Sequence, residues 1–270
     1  MSKKKKQRVV TTPRDRNFSD IAGKFKNNIY GTTKGKIREA VLQRDLDEAL
    51  ATIKPKRALR VLDVGGGQGQ LALYLALQGH LVTLIDVSEE MLGLARERAV
   101  NADVSQSMVF IHAPLQAIPE LDLGQFDLVL CHAVLEWVVD QQSALSILRS
   151  SLAPEGILSL MYFNKSAQRL ANMVYGNFDY VANGLKVKQK VGLSPNQPLE
   201  SHLVDKWLQE LDLNQISKTG VRCFHDYLRE LDKAESQFNA LLDMELKYNR
   251  TEPYASIGRY THLLLDHKRL

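Results

Sequence analysis

The sequence predicts an α/β fold, namely a doubly wound, seven-stranded and mostly parallel sheet. Two observations lead to this prediction. Short apolar, β-branched runs alternate with helical segments from about residue 59 to 164, the order typical of parallel strands joined by right-handed crossovers. The first run also leads directly into a glycine-rich turn, VLDVGGGQGQ at Val61–Gln70, at the sheet edge where such folds place their ligands.

Local patterns identify the elements of this alternating region in chain order. LRVLDVG is a buried strand, QLALYLALQG a helix that ends at a glycine, and LVTLIDVS a second strand. The next helix opens with Ser88 as N-cap, has acids in its first turn and arginines later. MVFIHA, the start of FDLVLCHAVLEWV, and ILSLMYFN are strands three to five, and the helix before the fifth is closed by Pro154 and Gly156.

Two segments interrupt this alternation, and further elements follow the second one. Residues 16–57 are amphipathic around a YGTTKG break and predict a helical cap. Residues 165–198 predict an insertion after strand five that forms part of a substrate lid, with YGNFDY and the basic LKVKQK. A helix at 202–211, a strand at about 214–224, a helix at about 226–249 and a final strand complete a single domain from 16 to 270.

Composition limits the classes to which the chain can belong. Hydrophobic residues at 44% and charged residues at 24% favour a folded globular chain. Residues 1–15 predict a disordered basic tail, with nucleic-acid tethering as the alternative function of Lys3–Lys6. No apolar run is long enough for a membrane span. Cys131 and Cys223 alone argue against a disulfide framework or a zinc cluster and favour the cytoplasm. We also find no acidic and histidine cluster at metal-ligand spacing.

The glycine turn is suited to a small nucleoside ligand. Its pattern places Gly65, Gly67 and Gly69 after Asp63, but Gln70 stands where a dinucleotide fingerprint needs glycine, and no phosphate-loop lysine follows. Asp86, at the end of strand two, can accept hydrogen bonds from both hydroxyls of a ribose. The alternative is that the glycines serve only tight packing of the helix on the strand.

With LIDVS, FDLVLCHAVLEWV and LAPEGILSLMYFN, this turn resembles the class I S-adenosylmethionine-dependent methyltransferases, a Rossmann-like family, over about residues 59–164. The resemblance implies S-adenosylmethionine as cofactor. The family pattern has an acid in the loop after strand three, and here Gln116 is the nearest candidate for the adenine amine. His132 falls at the methyl-transfer site, or is a structural histidine. The cofactor-binding residues implied in this region are Gly65, Gly66, Gly67, Asp86, Leu115, Gln116 and His132.

Three segments are candidates for a lid over the acceptor, namely NNIYGTTKGKIR, MVYGNFDYVANGLKVKQK and KTGVRCFHDYLRE. Each mixes aromatic with basic side chains, a combination that suits base stacking and the neutralisation of phosphates or a carboxylate. Quinone methylases share the same core, but their acceptors need an apolar lid. The same segments are also compatible with ordinary loops and helix faces.

These segments, together with LCHAVLEWV, LSLMYFN and EPYASIGRYTHLLL, resemble the bacterial tRNA 5-carboxymethoxyuridine methyltransferases from about residue 16 to 267. The resemblance implies esterification of a wobble-uridine carboxylate in the tRNA anticodon loop. It also implies that Arg38 holds the cofactor carboxylate, unless Arg38 is a plain helix-surface arginine. Since a carboxylate is ionised at neutral pH, the reaction needs no general base but does need a cation.

Arg222 is the first candidate for a clamp on the substrate carboxylate, with Tyr30, His225 and Tyr227 lining the site. Arg222 is alternatively a surface charge on strand six. Two other functions stay open at this point: a methyltransferase for small-molecule carboxyl groups or carbon atoms, and a non-catalytic RNA-binding module. A dehydrogenase is less compatible with Gln70.

Overall fold

A seven-stranded sheet, ordered β3-β2-β1-β4-β5-β7-β6, organises the protein. The computed structural model describes residues 31–53, 57–186 and 197–267. Its strands are β1 (Arg60–Val64), β2 (Leu81–Asp86), β3 (Met108–His112), β4 (Phe126–His132), β5 (Leu152–Phe163), β6 (Leu213–Val221) and β7 (Tyr260–His267).

The pairing confirms the predicted topology. Strands β1 to β5 pair in parallel, and β7 runs antiparallel to both β5 and β6. The order of strands reverses at β1, which lies between β2 and β4. In open α/β sheets ligands bind at such a switch point, beyond the carboxyl ends of the strands. The glycine turn after β1 therefore lies where a ligand is expected.

Helices cover both faces of the sheet. They are α1 (Thr33–Thr52), α2 (Gln70–Leu77), α3 (Glu89–Asn101), α4 (Gln141–Ser150), α5 (Lys165–Val174), α6 (Phe178–Ala182), α7 (Ser201–Glu210), α8 (Lys233–Ser236), α9 (Phe238–Tyr248) and α10 (Tyr254–Ile257).

Alternate residues of β1 serve the two apolar layers. Leu62 and Val64 belong to a cluster with side chains of α4 and α7, whereas Val61 belongs to a cluster with side chains of α1, α2 and α3. Successive strand residues point to opposite faces, so a fully buried central strand needs apolar residues at consecutive positions. This requirement explains the continuous apolar runs in the sequence.

Three predicted boundaries were wrong. The sixth strand ends at Val221, since Arg222 adopts a left-handed φ of +62° that breaks an extended strand. The helix predicted through Gly156 ends at Ser150, because β5 starts at Leu152 and pairs with β4 there. The helix predicted at 226–249 is instead a short turn followed by α8 and α9.

Parts of the predicted cap and insertion lie within the described residues. The cap contributes α1, and the insertion contributes α5 and α6. The basic tail (1–15), Tyr30 and residues 187–196 lie outside the described residues. Among the described residues, no helix has the length and apolar character to cross a membrane.

Candidate functional site

The glycine turn brings the backbone of β1 close to the end of β2. Gly65 and Gly67 adopt φ of +67° and +58°, the left-handed region that glycine occupies readily. The amide of Gly65 donates to the carbonyl oxygen of Ile85 (2.7 Å), and that of Gly67 to Oδ2 of Asp86 (2.9 Å). A Cβ at Gly65 would lie 2.5 Å from the Val134 side chain, so the turn leaves no room for one.

Gly66 is equally restricted, because it packs on a carboxylate. A Cβ there would lie 2.5 Å from Oδ2 of Asp63, which is buried. Gly66→Ala is therefore expected to destabilise the fold by about 1–3 kcal/mol and to weaken binding at the turn.

Calorimetry with a cofactor analogue and thermal unfolding measure the two effects of Gly66→Ala. Gly93→Ala is the matched control, since a Cβ at Gly93 in α3 meets nothing within 4 Å and alanine favours a helix by about 0.5–1 kcal/mol. Equal behaviour of the two variants would contradict the close packing of Gly66 on Asp63.

A cavity opens between α1, the glycine turn and the end of β4. It brings together four of the predicted cofactor residues, Arg38, Gly65, Gly66 and His132. The other lining residues are Gly35, Glu39, Leu42, Asp63, Gln70 and Leu71. The cavity thus combines a cation, backbone amides and buried polar side chains at the predicted sheet edge.

The other predicted cofactor residues lie outside the lining of this cavity. Asp86 is buried, and its oxygens accept from Gly67 (2.9 Å) and Ser88 (2.8 Å). Burial raises the pKa of Asp86, although these amides counteract the rise. Leu115 is buried in the same core cluster as Ile85, and Gln116 is exposed.

Sequence reasoning gave no role to two buried carboxyl groups near Arg38. Burial, together with the charge of Asp86, raises the pKa of Asp63 to about 7, and burial raises that of Glu136 to about 7. The charge of Arg38 favours the ionised form of both. Asp63 could have been identified as the first letter of the glycine motif. Glu136 lies in a short turn after β4 and carried no such signal.

Glu136 makes a pH-dependent contribution to stability, since its folded pKa is raised. The protonated acid stabilises the fold fully below the unfolded pKa near 4.5, and this contribution is lost as the pH rises towards about 7. Glu136→Gln should remove this loss, which is on the order of 3 kcal/mol. We expect the variant to gain stability relative to wild type at pH 8 compared with pH 4.5.

Denaturant unfolding at the two pH values tests the effect of Glu136→Gln. Glu120→Gln, which changes an exposed glutamate, is the control and should leave the pH dependence unchanged. A wild-type pH dependence retained in Glu136→Gln would show that the buried carboxyl is not responsible.

Two arginines meet at one aromatic ring beside the cavity. The guanidinium carbons of Arg38 and Arg222 lie 5.7 and 5.8 Å from the ring centre of Tyr260. Arg38 has no carboxylate within ion-pair distance among the described residues. Its side chain is thus available to an anionic group in the cavity.

Arg222 is held in place by a carboxylate rather than exposed on a strand. Its side chain is 12% exposed, and both Nε and Nη2 donate to the carboxylate of Asp226, Nε at 2.7 Å. Burial favours the neutral form of each partner, but their mutual attraction raises the pKa of Arg222 and lowers that of Asp226. Asp226 engages one edge of the guanidinium, and Nη1 makes no hydrogen bond within the described part of the chain.

The residues predicted to line the substrate site have structural partners. His225 is buried and lies 2.9 Å from Oγ1 of Thr33 through Nε2, and burial lowers its pKa. The hydroxyl of Tyr227 lies 3.0 Å from the carbonyl oxygen of Ile257, and burial raises its pKa to about 12. Tyr30 lies outside the described residues. The lining roles of the three residues stay predictions.

Comparisons with known proteins agree with this geometry. A family described as a methyltransferase domain matches residues 62–160, which include the glycine turn and Asp86. A tRNA 5-carboxymethoxyuridine methyltransferase of Escherichia coli K12 is 49% identical over 92% of this chain and 95% of its own length. A ubiquinone biosynthesis O-methyltransferase of Psychrobacter cryohalolentis is 32% identical, but only over 43% of this chain and 46% of its own.

A solved structure supports the fold. The magnesium protoporphyrin IX methyltransferase of Synechocystis PCC 6803, with bound SAH, superimposes with a TM-score of 0.61 over 93% of this chain and 96% of its own. At 18% identity, this likeness concerns the fold alone. The E. coli relative, in contrast, matches α1 and the segment around Arg222 as well as the core, since its match extends over 92% of the chain.

Proposed function

We propose, from the premise that this chain belongs to the tRNA 5-carboxymethoxyuridine methyltransferase family, that it methylates the carboxylate of 5-carboxymethoxyuridine at the wobble position of tRNA. The product is the methyl ester. The chain is an S-adenosylmethionine-dependent methyltransferase, as its family and its methyltransferase domain show. The anticodon loop as the site of contact and the cytoplasm as the location are parts of the proposal.

The residues present fit this cofactor. Gly65 and Gly66 line the cavity with backbone alone, and Nδ1 of His132 in the same lining is a buried polar atom with no partner among the described residues. Arg38 would hold the carboxylate of the cofactor, and Asp86 the ribose hydroxyls. Leu115 and Gln116 would lie beside the adenine. When bound, the cofactor supplies a methyl group on a sulfonium.

The substrate carboxylate is already a nucleophile at neutral pH, so the protein has no proton to remove. The bound cofactor would supply the methyl carbon to one carboxylate oxygen, and the electron pair of the broken carbon–sulfur bond would stay on its sulfur. The protein then has to hold the carboxylate in line with that bond and exclude water. This requirement explains why a site without an evident general base is adequate.

The observation that carries the proposal is the arrangement of Arg222. Its side chain is only 12% exposed and is held by Asp226, and it shares the Tyr260 ring with Arg38. Because Asp226 engages only Nε and Nη2, the Nη1 edge can bind a second carboxylate. A uridine that lacks the acid would leave this edge without a charged acceptor, and the lost charge-assisted hydrogen bond disfavours that uridine by about 1–3 kcal/mol.

One exposed aromatic side chain contacts this pair, and a second follows three residues later in the sequence. Tyr175, at the end of α5, is 60% exposed, and Phe178 at the start of α6 is 68% exposed. The hydroxyl of Tyr175 donates to the carbonyl oxygen of Asp226 (2.9 Å), so this aromatic surface adjoins the Arg222–Asp226 pair. Exposed rings beside a cation suit the stacking of unpaired bases, and such bases occur in an anticodon loop.

Methyl transfer to tRNA tests the proposal. Labelled S-adenosylmethionine is incubated with tRNA from cells that lack this gene, and the nucleosides are separated by mass. We expect label only in the methyl ester of 5-carboxymethoxyuridine. Label on small free acids, with none on tRNA, would indicate that the substrate is a small-molecule acid and not RNA. No transfer to either, with RNA still bound, would indicate an RNA-binding module.

A further inference from the structure

A continuous chain of buried hydrogen bonds leads from α1 to the cavity. Oδ2 of Asp45 lies 2.7 Å from Nδ1 of His262, whose Nε2 lies 2.7 Å from the hydroxyl oxygen of Ser159. That oxygen lies 2.8 Å from Nε2 of His132, a residue of the cavity wall. Asp45, Ser159 and His262 are fully buried, and His132 is 8% exposed. None of these contacts is used by the mechanism above.

The far end of the chain is a permanent hydrogen-bond acceptor. Burial raises the pKa of Asp45, but His262 and Arg44 lower it more, so the pKa lies well below its ordinary value. Oδ1 of Asp45 accepts from Arg44 (2.8 Å) and Arg250 (2.7 Å). The carboxylate therefore stays ionised, and Nδ1 of His262 must be the donor in their contact.

His132, at the cavity end of this hydrogen-bond chain, determines where the remaining protons lie. Burial lowers the pKa of His132 well below its ordinary value, so this ring is neutral and carries one N–H. Nδ1 of His132 is buried and has no partner among the described residues. A proton on Nδ1 would be a buried donor without an acceptor, whereas a proton on Nε2 is donated to Ser159.

The protons in the chain then have one consistent order. His132 donates from Nε2 to the Ser159 oxygen, Ser159 donates to Nε2 of His262, and His262 donates from Nδ1 to Asp45. The opposite order would need a charged His262 and would leave the orphan N–H on His132. When His132 donates towards Asp45, the Ser159 hydroxyl and both rings donate and accept as a hydroxyl and neutral imidazoles can.

We propose that Asp45, His262 and Ser159 are positioning residues, which hold His132 as the Nε2–H tautomer and so present Nδ1 as an acceptor for the ammonium group of the cofactor. Arg38 and His132 then divide the charged end of the cofactor between them, since a cation suits the carboxylate and a lone pair suits the ammonium. This inference rests on the cofactor assignment and on no part of the RNA substrate.

Nitrogen-15 spectra of the histidine rings test the tautomer in the protein without ligand. A His132→Gln variant identifies the His132 signals. We expect a protonated Nε2 and an unprotonated Nδ1 in wild type, and a changed balance of tautomers in Ser159→Ala. Ser151→Ala is the matched control, since it removes another buried serine hydroxyl, which donates to the carbonyl oxygen of Ile147 at the end of α4.

Calorimetry separates positioning from general support of the fold. The probes are S-adenosylhomocysteine and its analogue without the amino group. Ser159→Ala should weaken binding of the first probe about five- to tenfold and binding of the analogue much less, because the lost contact is the one to the ammonium. Thermal unfolding of both serine variants shows whether they are folded.

Three results would overturn the proposal: a proton on Nδ1 of His132 in wild type, an unchanged tautomer in Ser159→Ala, or equal loss of affinity for both probes. Because tRNA is absent from these measurements, failure of the RNA assignment would leave their outcome unaffected.

Discussion

Replacement of Arg222 by alanine is expected to lower kcat/KM for tRNA that carries the acidic uridine by about a hundredfold. The reason is that the variant loses a charge-assisted contact to the substrate carboxylate in a buried site, worth about 3 kcal/mol. Binding of S-adenosylhomocysteine should change little, since the cofactor carboxylate is assigned to Arg38 and the substrate carboxylate to Arg222. The clearest readout is discrimination between tRNA with and without the carboxymethoxy group, which the variant should lose.

The variant also leaves Asp226 buried without its cation, so folding must be checked. Arg222→Lys keeps the charge but loses the planar fork, and we expect intermediate activity in a stable fold. Arg229→Ala removes an exposed arginine of the same segment and serves as the matched control. If Arg222→Ala discriminated between the two tRNAs as well as wild type does, the carboxylate would be held by another residue.

Replacement of Asp86 by alanine is expected to raise the Kd for S-adenosylhomocysteine by about a hundredfold. A charged acceptor that binds ribose hydroxyls contributes about 1.5–3 kcal/mol per hydrogen bond. Asp86 also orders the turn by accepting from the amide of Gly67, so its loss affects the cofactor site in two ways. The affinity for tRNA, measured without cofactor, should stay the same.

Calorimetry gives both affinities for Asp86→Ala. Glu90→Ala is the control, since it removes an exposed carboxylate in the first turn of α3, at the same edge of the sheet. An unchanged affinity for S-adenosylhomocysteine in Asp86→Ala would remove the ribose assignment. A parallel loss of tRNA affinity would instead indicate damage to the fold.

The alternating core was predictable because its signals are local. Apolar runs, Ser88 as a cap and the glycines after Val64 each indicate an element within a few residues. The region after β5 was harder, as the errors near Arg222 show. There the amides of Cys223, Phe224 and His225 donate to the Glu245 carboxylate, 20 to 22 residues later. Such contacts replace the strand pairing that the local pattern predicts as far as about residue 224.

The residues of the site also differ in how far local sequence predicts them. Gly65, Gly66 and Asp86 follow from the order of strand, turn and strand, because the ends of parallel strands meet at one edge of a sheet. Which partner each polar side chain takes depends on segments far apart in the chain. The Asp45–His262 contact joins residues 217 positions apart, and no local pattern near either residue predicts it.

The amino-acid order alone thus specified the sheet, the glycine turn and the kind of ligand that the turn accepts, since these depend on backbone periodicity and on positions that admit only glycine. The tertiary structure alone decided the environment of the charges. It paired Arg222 with Asp226, buried Asp63 and Glu136 near Arg38, and linked His132 to Asp45 through two intermediate residues. Burial and long-range pairing set the pKa of a side chain, and both arise only when distant segments pack together.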